Sequence, residues 1–164
     1  MTFLKTLTAG LVASSLMAVA LPASAHEDFK VVASFSILGD MVEQVVGDHA
    51  DVTTIVGPDA DAHVYQPSVA DARAVAEADV IFVNGLGFET WSDTLISESG
   101  TEATVHVATD GVTPVMVDGE TDPHAWNSLS NGAIYVRNVA EAMSEALPDH
   151  ADDFKANAEA YIAR

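Results

Sequence analysis

The chain has 164 residues, with 25 Asp and Glu against 6 Lys and Arg, a formal net charge of −19 and no cysteine. That balance repels nucleic acid and anionic lipid, and the missing thiols exclude disulfides, thiolate metal sites and a lipid-modified cysteine as a membrane anchor. The length suits one domain with a sizeable core, and the charge reads first as solubility.

Residues 1–25 read as a secretory signal: Lys5, an apolar or small run from Leu7 to Leu21, then the small-x-small site Ala23-Ser24-Ala25. The mature chain is expected to begin at His26, exported, periplasmic and soluble, since no later stretch offers the roughly 20 apolar residues of a membrane span. Lys30–Phe35 is a β-branched strand. Residues 37–46 carry an apolar face at helical spacing, with Gly47 as the stop. Asp51–Val56 is the second strand, closed by Gly57-Pro58. Ser68 with Asp71 three residues on marks a helix start, and that helix should run through Ala78. Asp79–Val83 is the third strand, Asn84-Gly85-Leu86-Gly87 a turn, Phe88 to about Glu98 a short helix, and Thr104–Val107 the fourth strand. Alternating strands and helices, with strands apolar on both faces, predict an α/β fold: a parallel sheet flanked by helices that binds ligands at the strands' carboxyl ends. Beyond residue 127 the pattern is helical, broken at Pro148, and its apolar stripe still runs at Tyr161-Ile162. That predicts a last helix projecting from the fold with its stripe partly exposed.

One pattern occurs twice, as Asp61-Ala62-His63-Val64-Tyr65 and Asp122-Pro123-His124-Ala125-Trp126. Both histidines fall in turn-rich segments, where an imidazole can face a cleft, and neutral imidazole is a common ligand for transition metals. From the residues alone, ligation and an ordinary surface or structural role both stay open. Asp61 and Asp122 suit turn or cap carboxylates better than partners of the rings, and Tyr65 and Trp126 suit core packing. His26, His49, His106 and His150 fit no motif and are expected to be surface or structural.

Four stretches carry a resemblance: VVASFSILGDMVEQVVGD from Val31, TTIVGPDADAHVYQPSVAD from Thr53, DVIFVNGLGFETW from Asp79 and DPHAWNSLSNGAIYVRNVAEAM from Asp122. Together they resemble the solute-binding proteins of ABC importers for zinc, manganese and iron, across essentially the whole mature chain. The resemblance implies two α/β lobes joined by a long helix, with the metal between them. The segment matching DAHVYQPS would supply one ligand, His63, and that matching DPHAW another, His124. A Glu or His and an Asp would come from a second lobe. It implies that residues 26–127 form the first lobe and that residues 128–164 lead into the connecting helix, the second lobe lying past Arg164. A membrane permease is the implied partner, and a monomer is expected.

Two imidazoles with carboxylate oxygen suit Zn(II), Mn(II) or Fe(II), while the lack of thiolate argues against Cu(I). The segment Gly111–Thr121 is short and free of histidine, unlike the His-rich loop of many zinc-uptake members, which leans the expectation towards manganese or iron. The alternatives are a metal-independent adhesin or interaction module, and a periplasmic zinc hydrolase. The hydrolase needs a short-spaced ligand cluster such as His-Glu-x-x-His, which the sequence lacks.

Overall fold

The computed structural model describes residues 29–164; the expected signal segment 1–25 and His26 lie outside the described residues. Strands β1 (Lys30–Phe35), β2 (Asp51–Val56), β3 (Val80–Val83) and β4 (Thr104–Val107) form a parallel sheet in the order β2-β1-β3-β4. Every residue of β3, and all of β1 but Lys30, is buried. Continuous apolar strands of this kind need helices on both faces. Helices α1 (Ser36–Val46), α4 (Leu129–Ala146) and α5 (Ala151–Ile162) pack on one another, and α2 (Val69–Ala76) packs on α3 (Ser92–Ser99). Right-handed crossovers place these two groups on opposite faces. The chain turns back between β1 and β3, and at their carboxyl ends such a reversal opens a crevice.

Local chemistry sets most boundaries. Helix α1 stops at Gly47, whose φ of +55° suits glycine. Gly39 lets the same helix lie against β2, because a Cβ there would collide with the Thr54 hydroxyl. Ser68 opens α2 through a reciprocal capping box with Asp71, and α2 ends at Ala76 instead of Ala78. Helix α4 ends ahead of Pro148, which cannot continue it.

Two expectations need correction, and one segment gains elements the sequence did not mark. Helix α3 begins at Ser92, not Phe88: Phe88 and Glu89 are drawn into the interior at 5% exposure each, and the backbone turns there instead of coiling. The segment Gly111–Thr121, given no element from the sequence, holds two short strands. Val115–Val117 (β5) pairs antiparallel with Glu120–Asp122 (β6) around Asp118-Gly119, both at positive φ, as a two-residue hairpin turn requires. Finally, α5 does not project. Phe154 and Ala158 are buried, Tyr161 and Ile162 pack partly buried against the core, Asn157 Nδ2 donates to the Val45 carbonyl at 3.0 Å, and the Tyr161 hydroxyl donates to Asp40 Oδ2 at 2.6 Å. The stripe that looked uncovered in sequence is covered by α1 and α4. Among the described residues, no helix is long and apolar enough to cross a membrane.

Candidate metal centre

The two Asp-x-His turns meet at the carboxyl edge. The Nε2 atoms of His63 and His124 lie 2.9 Å apart, with ring centroids at 5.0 Å, although 61 residues separate them in sequence. His63 is exposed and His124 half-buried. They border a cleft with Ser36, Pro58, Asp61, Phe88 and Trp126.

The aspartates differ. Among the described residues, Asp61 Oδ1 accepts only the backbone N–H of His63, at 2.9 Å, which is the turn role expected of it. Asp122 Oδ1 accepts the backbone N–H of His124 at 2.9 Å and also meets the ring Nδ1 at 2.6 Å. It therefore departs from the expectation of a plain turn carboxylate. The backbone N–H first, and the ring N–H with it, hold its carboxyl below the usual range. A carboxylate on Nδ1 favours the tautomer of His124 with its lone pair on Nε2, the atom that faces His63 Nε2 at 2.9 Å.

The segment from Asn84 to Trp91, read in sequence as a turn and a helix start, pins both turns at the residue before each histidine. Trp91 Nε1 donates to the Ala62 carbonyl at 2.7 Å. Asn84 Nδ2 donates to the Pro123 carbonyl at 3.0 Å. Between them, Phe88 sets its ring edge to face against His63 at 4.6 Å and His124 at 5.5 Å, and also touches Phe35 and Trp126. Both imidazoles are thus held by a shared aromatic wall and a backbone anchor.

Behind this wall lies a buried polar network. Glu89 Oε1 accepts the Ser34 hydroxyl at 2.7 Å and the backbone N–H of Asn84, while Asn84 Oδ1 accepts the Tyr135 hydroxyl. Burial, aided by the nearby Glu89 charge, pushes the Tyr135 phenol well above its ordinary value, so it stays a donor. Glu89 Oε2 is buried without a hydrogen-bond partner among the described residues, a cost of about 1–3 kcal/mol for a group of this kind. The network locks Asn84, and through it the His124 turn.

Sequence reasoning named the two histidines and missed Asn84, Phe88, Glu89 and Trp91. The available signal was an acid and an amide set among apolar and aromatic residues next to a buried strand. Trp126 lines the cleft beside His124 at 5.3 Å. Tyr65 turns away from it, donating to Asp71 Oδ2 at 3.0 Å and packing on Trp91. His106 stacks on Phe82, its register partner on β3.

Known proteins resemble this chain in sequence and in fold. Residues 31–164 match the family model described as zinc-uptake complex component A, periplasmic (ZnuA). The chain is 40% identical over 137 residues to the manganese-binding lipoprotein MntA of Halalkalibacterium halodurans, covering 83% of this chain and 46% of that protein. It is 35% identical over 159 residues to the iron-binding protein YfeA of Yersinia pestis, covering 94% and 51%. Among solved structures, the Mn-bound periplasmic metal binding protein from Candidatus Liberibacter asiaticus superposes with a TM-score of 0.78 at 35% identity, covering 83% of this chain and 52% of that one. Zn(II)-bound AdcA from Streptococcus pneumoniae gives 0.73 at 28% identity, covering 83% and 30%. The chain spans about half the length of the curated relatives it matches. With the match running from β1 through α5, the chain belongs to the ZnuA family, that of the periplasmic component A of the zinc-uptake complex.

Proposed function

We propose that this chain captures a divalent first-row transition metal, Mn(II), Fe(II) or Zn(II), with His63 and His124, and that it serves outside the cytoplasmic membrane as the binding component of an ABC-type importer, passing the ion to a membrane permease. The observation that carries the reading is the 2.9 Å approach of the two Nε2 atoms with Asp122 on the far nitrogen of one ring. A cation at about 2.0–2.1 Å from each nitrogen in a tetrahedral shell would set the pair roughly 3.3 Å apart, so the rings need part by only a few tenths of an ångström. A metal needs the lone pair of each Nε2 and competes with protons for it, so uptake should release protons.

The relatives are named as binding proteins, and the reading is capture and release without turnover. Two imidazoles leave at least two coordination positions for other donors, from water or from groups outside residues 29–164. The short, histidine-free hairpin β5–β6 fits a cargo of manganese or iron better than the zinc of a His-rich loop, and the imidazole donors accept all three.

Calorimetric titration of the chain, of His63→Ala and of His124→Ala with each of the three ions tests this. Saturable binding to the parent should fall about a hundredfold or more in either variant, since loss of a direct ligand exceeds the 10–100-fold typical of an outer partner. Equal binding by parent and both variants would sink the reading.

A further inference from the structure

A second pair of imidazoles lies at the opposite, amino-terminal edge of the sheet. His49 ends the 3₁₀ turn after α1, just ahead of β2, and His150 immediately precedes α5. The rings stack at 4.0 Å with 27° between their planes. Both rest on fully buried Phe154, its centroid 5.6 Å from that of His49 and 6.2 Å from that of His150. Asp153 Oδ2 lies 3.3 Å from His49 Nε2 and 3.9 Å from His150 Nδ1. One donor atom from each of the three residues falls within 4.8 Å of the other two.

We propose that His49, His150 and Asp153 form a second divalent-cation site, separate from the His63–His124 pair and suited to a borderline ion such as Zn(II). Two ligand atoms of a tetrahedral zinc stand roughly 3.3 Å apart. The His49–Asp153 pair is already at that spacing and the His150–Asp153 pair is 0.6 Å wider. Two imidazoles and one carboxylate are a complete set of three protein donors, and the half-exposed rings and exposed Asp153 leave the fourth position to water. Ligation by both rings requires the 27° stack to open, because an imidazole lone pair lies in its ring plane. The net charge of −19 also raises the local cation concentration. Such an ion would fasten the end of α1 to the start of α5.

The test uses the ¹⁵N-labelled chain and its His63→Ala/His124→Ala variant, with Zn(II) alone as probe, read by long-range ¹H–¹⁵N spectra of the imidazoles and by calorimetry. The double variant should keep one zinc equivalent, and the ring nitrogens of His49 and His150 should shift together as it fills. Asp153→Asn and His150→Gln, each checked for a native circular-dichroism spectrum, should weaken that binding by about tenfold or more, as for an outer partner at least. The proposal is overturned if the double variant binds no zinc, if His106 responds in place of His49 and His150, or if natively folded Asp153→Asn and His150→Gln bind as tightly as the double variant.

Discussion

Hydrogen bonds gather in two regions of this molecule, the Asp-x-His turns at the carboxyl edge and the face of α5 that docks on α1, and they serve different ends. At the turns, little apolar area holds His63, which is exposed. Its direction is set by Asp61 below its backbone, Trp91 on the preceding carbonyl and one face of Phe88. At α5 the order is reversed. Phe154 and Ala158 are buried, and Asn157, Tyr161 and Arg164 form a polar rim around them by way of the Val45 carbonyl, Asp40 and Gln44. Polar contacts at the first place aim a donor atom; at the second they trim a dock that apolar burial already secures. Substitutions should therefore separate, those at the turns moving affinity and those on α5 moving stability.

The largest effect belongs to Phe154→Ala. Truncating a fully buried Phe costs about 3–5 kcal/mol, which lowers the melting temperature by on the order of 10 °C or more. Mn(II) affinity, measured well below the new melting point, should stay within about twofold, because distant sites act independently. A parallel fall in affinity would break the division between the two regions.

Asp122→Asn should do the opposite. The amide still accepts the backbone N–H, but it gives up the charge that holds the His124 ring in its tautomer. Metal affinity should drop by about 10–100-fold while the unfolding free energy from urea titration changes by about 0.5 kcal/mol or less. Asp61→Asn keeps the one contact that residue makes, and both measurements should match the parent. Equal losses of affinity in the two variants would show that the two aspartates are equivalent, against their geometry.

The same division explains what the sequence could tell. Strands β1 to β4 and the start of α2 were legible because each rests on a local cause: apolar runs between breakers, or the Ser68–Asp71 cap. His63 and His124 were legible by their repeated pattern. Their meeting was not, since it depends on where Asn84 and Trp91 send two side-chain donors. Helix α3 was misplaced because Glu89 leaves the helical path for a buried bond to Ser34, a contact 55 residues away in sequence. The β5–β6 hairpin was marked by Asp118-Gly119, but its flanking three-residue strands are mostly exposed and lack the alternation that would have identified them. The docking of α5 escaped because a stripe of apolar residues does not say which surface covers it; here α4 and α1 share it, and α1 lies more than a hundred residues earlier.

The smallest effect sharpens the comparison at the rim of α5. The Tyr161 hydroxyl donates to Asp40 Oδ2, and burial first, then that carboxylate, pushes the phenol from 10.0 up to about 12. In the unfolded chain the phenol loses its proton from about pH 10, whereas the folded chain keeps it to about pH 12. Between those values the unfolded state binds fewer protons, so stability falls as pH rises. The contribution is complete below pH 10 and gone above pH 12. Because the ring is only partly buried, solvent screens the effect and it stays small. Tyr161→Phe should cost about 1 kcal/mol or less at neutral pH, the worth of one hydrogen bond. It should also flatten the alkaline limb relative to the parent, since Tyr135 titrates equally in both chains. Urea midpoints of the two proteins at neutral pH and at steps between pH 10 and 12 measure this. Their difference should shrink as the pH climbs, and Mn(II) affinity at neutral pH should not move. A difference that stays constant across that range would mean that the Tyr161–Asp40 contact contributes nothing to the docking of α5.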